Sequence, residues 1–149
     1  MAALTGLTLT VFRLHGALLQ WGDKLVEPLG LTSARWQMLG ALALAGGPLT
    51  APQIGNAMGV TRQGAQKQLN LLLELGLVVA RPNPAHQRSP LYVLTSAGSQ
   101  LYARADALWN AHVAAMNRHV RAEDALSAKA TLDTMLRHLL ASADSSDRP

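Results

Sequence analysis

Apolar residues recur at helical spacing along most of the chain. Val11, Leu14, Leu18, Trp21 and Leu25 fall at i, i+3, i+7, i+10 and i+14, which predicts one helix over residues 5–27. Phe12 and Leu19 lie off that stripe, so this helix carries more than one apolar face. Pro28 ends it, because a proline disfavours the helical region for the residue before it. A second helix is predicted over 33–45, capped by Thr32 or Ser33, with Trp36, Leu39 and Ala43 inward. Gly46-Gly47-Pro48 stops it, and Leu49 is placed in a strand of one or two residues. Thr50-Ala51-Pro52-Gln53 has capping-box spacing and opens a short helix that runs to Met58.

The segment 61–76, TRQGAQKQLNLLLELG, is the most informative. Ala65, Leu69, Leu72, Leu73 and Gly76 form an apolar stripe, while Arg62, Gln63, Gln66, Lys67 and Asn70 share the opposite face. That face combines cations and amides without a carboxylate, the groups that contact phosphates and base edges in a major groove. A short helix, a tight turn around Gly59 and a polar-faced second helix make a helix-turn-helix. Residues 77–81 and 91–95 then read as paired strands. The nine residues between them hold three prolines, so the hairpin is a stiff β-wing. Arg88 near its tip has the chemistry for a narrow minor groove. Thr95 or Ser96 caps a long helix predicted over 97–120, and a last helix is predicted over 123–141. The tail 142–149, SADSSDRP, is too polar to pack and is expected to be disordered.

The expected fold is therefore mainly α with a small β-wing: a winged helix-turn-helix flanked by long dimerisation helices. Its expected parts are an N-terminal helix (1–30), the winged domain (31–95), the C-terminal helices (96–141) and the tail (142–149). Hydrophobic residues make up 49% of the 149 residues and charged residues only 15%. So much apolar helix surface with so little charge points to a dimer. The net charge of +4 changes the picture further when it is placed. Between Leu31 and Thr95 lie five cations and one acid, and the remaining residues balance at eight of each. All the positive excess sits in the winged segment, the footprint of a polyanion-binding module.

Other chemistry is sparse. The chain has no cysteine, which removes disulfides, thiolate metal sites and thiol redox sensing. It has no P-loop and no dinucleotide fingerprint, so neither an enzyme nor a cofactor is expected. His112 and His119 lie seven apart on the expected long helix, but no acid or cysteine stands at ligand spacing, so they read as interface packing rather than a metal site. The N-terminus lacks a signal-peptide pattern. Arg13, His15, Asp23 and Lys24 interrupt its apolar stretch, so a cytoplasmic protein is expected and not a membrane span.

Three stretches resemble the MarR family of winged-helix transcriptional regulators: LGLTSARWQMLGAL (29–42), TAPQIGNAMGVTRQGAQKQLNLLLELGLV (50–78) and NPAHQRSPLYVLTSAG (83–98). The resemblance implies a homodimer held by the first helix and the last two, with each recognition helix on one half-site of a pseudo-palindrome in double-stranded DNA. By position, Arg62, Gln63, Gln66, Lys67 and Asn70 would face the major groove, Thr50 and Thr61 the phosphates, and Arg88 the minor groove. The wing departs from the D-x-R-R pattern of many members: His86-Gln87-Arg88-Ser89 replaces it, and the acid that would orient the arginine is missing. The family also commonly holds small aromatic acids in a crevice beside the winged helix. Here His15, Trp21, Arg35, Trp36 and Met38 are the candidates, with Arg35 pairing a carboxylate and the tryptophans offering stacking faces, although both tryptophans also lie on apolar stripes suited to a core. The competing reading is a winged-helix module that binds protein without specific DNA binding.

Overall fold

The computed structural model describes residues 1–146. Its elements are α1 (Ala2–Val26), a 3-10 turn (Glu27–Leu29), α2 (Ser33–Ala45), α3 (Ala51–Met58), α4 (Arg62–Glu74), β1 (Val78–Arg81), β2 (Leu91–Leu94), α5 (Ser96–Met116) and α6 (Ala122–Ser146). The chain divides into two compact units, Met1–Trp109 and the residues from Asn110 onward. The mainly helical fold with one two-stranded antiparallel sheet matches the expected class.

In the first unit α2 is the central helix. Met38, Leu39, Ala41 and Leu42 are all buried, because α1, α3, α4 and β2 pack around it. This corrects the inward set expected for α2: Trp36 and Ala43 are only half-buried, whereas Met38 is deep core. The core continues through Ile54 of α3, then Ala65, Leu69 and Leu72 of α4, then Val78 and Tyr92 of the sheet. A periodicity of 3.6 suits a helix packed on one side, and α2 is packed on several.

Side-chain caps set the helix starts. Thr32 Oγ1 accepts from the Arg35 backbone N–H, and Thr61 Oγ1 from that of Gly64. Thr50 and Gln53 complete a reciprocal capping box on α3. α1 is fastened to α2 through Ser33, a buried polar residue whose hydroxyl donates to the Leu19 carbonyl at 2.7 Å. The Ser33 backbone N–H donates to Asp23 Oδ1, also at 2.7 Å. Gly22 leaves room for this cross-link, since a Cβ there would collide with the Ser33 hydroxyl.

The exit from α4 carries the most connections. The Leu77 N–H donates to the Leu72 carbonyl at 2.9 Å and the Gly76 N–H to the Leu73 carbonyl at 3.0 Å, a Schellman closure that needs the left-handed φ of 68° at Gly76. Thr95, rather than Ser96, caps α5: its Oγ1 accepts from the Gly98 N–H at 3.0 Å while donating to the Gly76 carbonyl at 2.8 Å. Its own N–H donates to the Leu77 carbonyl at 3.1 Å. Gly98 lies against that same carbonyl, where any Cβ would clash. β1 pairs β2 from Val78↔Leu94 to Arg81↔Leu91, and Leu49 adds a single bridge to Tyr92.

Three expectations are corrected by the helix ends. α5 stops at Met116, and the polar run Asn117-Arg118-His119 tightens into turns closed by N–H groups reaching the Ala115 and Met116 carbonyls. His119 is thus off the helix, and His112 and His119 do not share a helix face. α6 continues to Ser146, so 142–146 are helical, and 147–149 of the expected tail lie outside the described residues. α1 with its following turn is long and apolar enough to cross a membrane by length and composition alone, a property that helices of soluble proteins share.

Leu4, Leu9 and Phe12 on α1 are exposed, as are Leu126, Leu136, Leu139 and Leu140 on α6. Gly98→Ala is expected to destabilise the fold by about 1–3 kcal/mol, because the added methyl meets backbone that cannot yield. Thermal unfolding reads this as a lower midpoint, and an unchanged midpoint would contradict the packing at this junction.

Candidate nucleic-acid interface and apolar pocket

α4 turns its apolar stripe into the core and leaves Arg62, Gln63, Lys67 and Asn70 exposed, with Gln66 half-buried beside them. Among the described residues none of Arg62, Lys67, Arg81 and Arg88 is in an ion pair; the pairs Arg121–Asp124 and Lys129–Asp133 belong to the second unit. Cations without a protein partner remain available to an external polyanion. The five polar residues of α4 are thus brought together on one solvent-facing surface, as their spacing implies.

One arrangement on this face has no signal in the helical pattern. The Gln66 Nε2 amide donates to the Tyr92 hydroxyl at 2.8 Å and to Asn70 Oδ1 at 2.9 Å. Tyr92 is a buried residue of β2, so the strand holds the Gln66 amide of α4 in place. Both Gln66 amide hydrogens are thereby engaged, leaving Gln66 Oε1 and Asn70 Nδ2 as the groups to present outward. Periodicity places Gln66 and Asn70 four apart, but only the strand pairing brings Tyr92 to them.

Thr50 and Thr61 lie at the N-termini of α3 and α4, and both hydroxyls are engaged as caps. The wing loop is organised by Asn83, a residue the sequence did not single out. Its Nδ2 donates to the Ser89 carbonyl at 2.9 Å and its Oδ1 accepts from the Ala85 N–H at 3.1 Å. The backbone closes twice more, from the His86 N–H to the Asn83 carbonyl and from the Ser89 N–H to the His86 carbonyl. Arg88 is exposed within this folded tip.

The first unit also holds a cavity of about 380 Å³, the size of a small-molecule site. α1 contributes His15 and Trp21, α2 contributes Trp36, and α5 contributes Tyr102, Asp106 and Trp109. Of the expected ligand residues, His15, Trp21 and Trp36 line it. Arg35 and Met38 do not: the Arg35 guanidinium reaches back to Thr32 Oγ1 at 3.3 Å and the Gly30 carbonyl at 3.4 Å, and Met38 is core. Burial and the nearby Asp106 carboxylate both raise the Tyr102 phenol above its ordinary pKa, burial being the larger cause. Tyr102, Asp106 and Trp109 recur at i, i+4 and i+7 on α5, but a stripe spacing alone does not distinguish a cavity wall from core.

Tyr92→Phe is expected to release the Gln66 amide at a cost of about 1 kcal/mol in stability, leaving the strand register intact. Side-chain amide NMR signals of Gln66 should then move to solvent-exposed positions. Unmoved signals would contradict the bond.

Comparison with known proteins gives a consistent picture. The MarR family model matches residues 29–89. An uncharacterized protein of Mycobacterium tuberculosis is 37% identical over 131 residues, covering 88% of each chain. The structure is similar to that of S. aureus MepR in complex with DNA, at a TM-score of 0.73 and 22% identity, covering 87% of this chain and 96% of the other. It is also similar to NadR in complex with 4-hydroxyphenylacetate, at a TM-score of 0.74 and 22% identity, covering 85% and 89%. At these identities the two structures establish the shared fold.

Proposed function

The chain belongs to the MarR family of transcriptional regulators, and from that premise we propose that it is a homodimeric repressor that binds a pseudo-palindromic operator and is released by a small ligand. The observation that carries the reading is the outer face of α4, where Arg62 and Lys67 stand among amides without an ion-pair partner among the described residues, and the one acid of the helix, Glu74, is kept to its last position. In this reading Arg62, Gln63, Gln66, Lys67 and Asn70 enter the major groove, and the caps Thr50 and Thr61 sit at the phosphates. Arg88 approaches the minor groove from a wing tip made rigid by Asn83 rather than by an acid. The complex of MepR with DNA supports the polyanion being duplex DNA.

The exposed leucines and Phe12 of α1, and separately those of α6, are the surfaces a second copy would cover. This use of α1 accords with a protein of the cytoplasm, since the same apolar face that could meet lipid meets a partner helix instead. Two copies related by a dyad would set the recognition helices about one turn of DNA apart. The pocket supplies the response. Tyr102 of α5 and Met58, the last residue of α3, both approach Gly40 at the cavity wall. A ligand there would press on the helix that leads through Gly59 into α4. Release follows if the ligand binds the DNA-free arrangement more tightly than the DNA-bound one.

The reading is tested by fluorescence anisotropy on duplex DNA from upstream of the protein's own gene, across a salt series. Affinity should fall steeply with salt, and Lys67→Ala should weaken binding while reducing the logarithmic salt slope by about 1. Weak binding that is flat with salt and indifferent to Lys67→Ala would overturn DNA as the partner and direct the search to a protein.

A further inference from the structure

We propose that the pocket selects a compact organic cation, an aromatic amine or quaternary ammonium, over an aromatic carboxylate; this deepens the ligand-response reading and rests on it. All three tryptophans of the chain line the cavity. Trp109 stands between the other two, with ring centroids 5.8 Å from Trp21 and 6.2 Å from Trp36 and interplanar angles of 66° and 62°. Rings inclined in this way meet edge to face, so neither pair is a parallel stack. An indole face is the best aromatic surface for a cation, and several around one cavity make a cage.

The charge of the wall points the same way. Among the residues lining the cavity Asp106 is the sole carboxylate, and there is no lysine or arginine. Asp106 has partners within the fold, so its role rests on its charge rather than on a vacancy. A carboxylate has about four lone-pair sites and can serve an internal partner and a ligand together. Its field already reaches Tyr102 across the same wall. Arg35, the cation expected to receive a carboxylate, is tied to Thr32 and Gly30 away from the cavity. His15 is the remaining lining group able to carry positive charge, and it is exposed on α1. An anionic ligand would therefore face a like charge with no lysine or arginine in the wall to receive it, whereas a cation meets both the carboxylate and the indoles.

The test uses the full chain and its own tryptophan emission, excited at wavelengths the probes do not absorb. Three probes are titrated: benzyltrimethylammonium, its uncharged isostere neopentylbenzene, and 4-hydroxyphenylacetate. The cation is expected to bind at least about tenfold more tightly than either of the others. Asp106→Asn should erase most of that preference while leaving the affinity for neopentylbenzene within about twofold. Tighter binding of the anion, equal binding of cation and isostere, a cation preference that Asp106→Asn leaves intact, or binding of none of the three would each overturn the proposal. If Asp106→Asn fails to fold by circular dichroism, the order of the three affinities in the wild-type chain decides alone. DNA release is followed in parallel. A cation that binds with the expected preference but leaves DNA bound supports the ligand class and overturns the release step. Intact DNA binding without cation preference overturns only the ligand class.

Discussion

The junction at Thr95 is the constraint on which the functional geometry depends. One hydroxyl caps α5 through the Gly98 N–H and holds the Gly76 carbonyl at the end of α4, while the Leu77 carbonyl accepts the Thr95 N–H. Three elements that diverge from this point are thereby fixed against one another: the recognition helix, the wing and the start of α5. The absence of a side chain at Gly98 lets the backbones approach closely enough for this to happen. The proposed reading requires the outward face of α4 to keep a constant angle to the wing, and this junction ties the two together. The bond from Gln66 to Tyr92 adds a second tie higher on the same pair of elements.

Charge is arranged with comparable economy. The ion pairs of the second unit neutralise Arg121 and Lys129 locally, whereas among the described residues Arg62, Lys67, Arg81 and Arg88 are in no ion pair. Solvated surface pairs contribute little stability, so leaving Arg62 and Lys67 unpaired costs the fold almost nothing. The gain appears only when a polyanion arrives and condensed counterions leave. In the proposed reading, DNA binding would follow from the scarcity of carboxylates as much as from the presence of cations.

Much of this was legible in the residues because local rules and tertiary packing agree. The span of α2, the capping box on α3 and the two faces of α4 all follow from caps, breakers and a 3.6-residue period. The motif LTSAG at 94–98, legible only as a pattern, acquires its physical reason from the junction. What was not legible depends on distant residues meeting. Trp109 and Asp106 reach the cavity only because α5 folds back beside α1 and α2, and Arg35 leaves it because its guanidinium finds the Thr32 hydroxyl nearby. Met38 looked like a lining residue because an apolar position at helical spacing has the same signature in a wall and in a core. The end of α5 at Met116 and the length of α6 are not legible in the sequence, because polar helices and polar loops have similar compositions.

The measurement that bears most directly on the central claim is hydroxyl-radical footprinting of the wild-type chain on DNA from upstream of its own gene. A dimer presenting two α4 helices and two wings predicts a two-fold symmetric pattern: a pair of protected segments about 10 base pairs apart, centre to centre, flanked by weaker protection where the wing tips lie. A single unsymmetrical patch, or uniform protection without register, would contradict the assignment of α4 as a paired recognition helix.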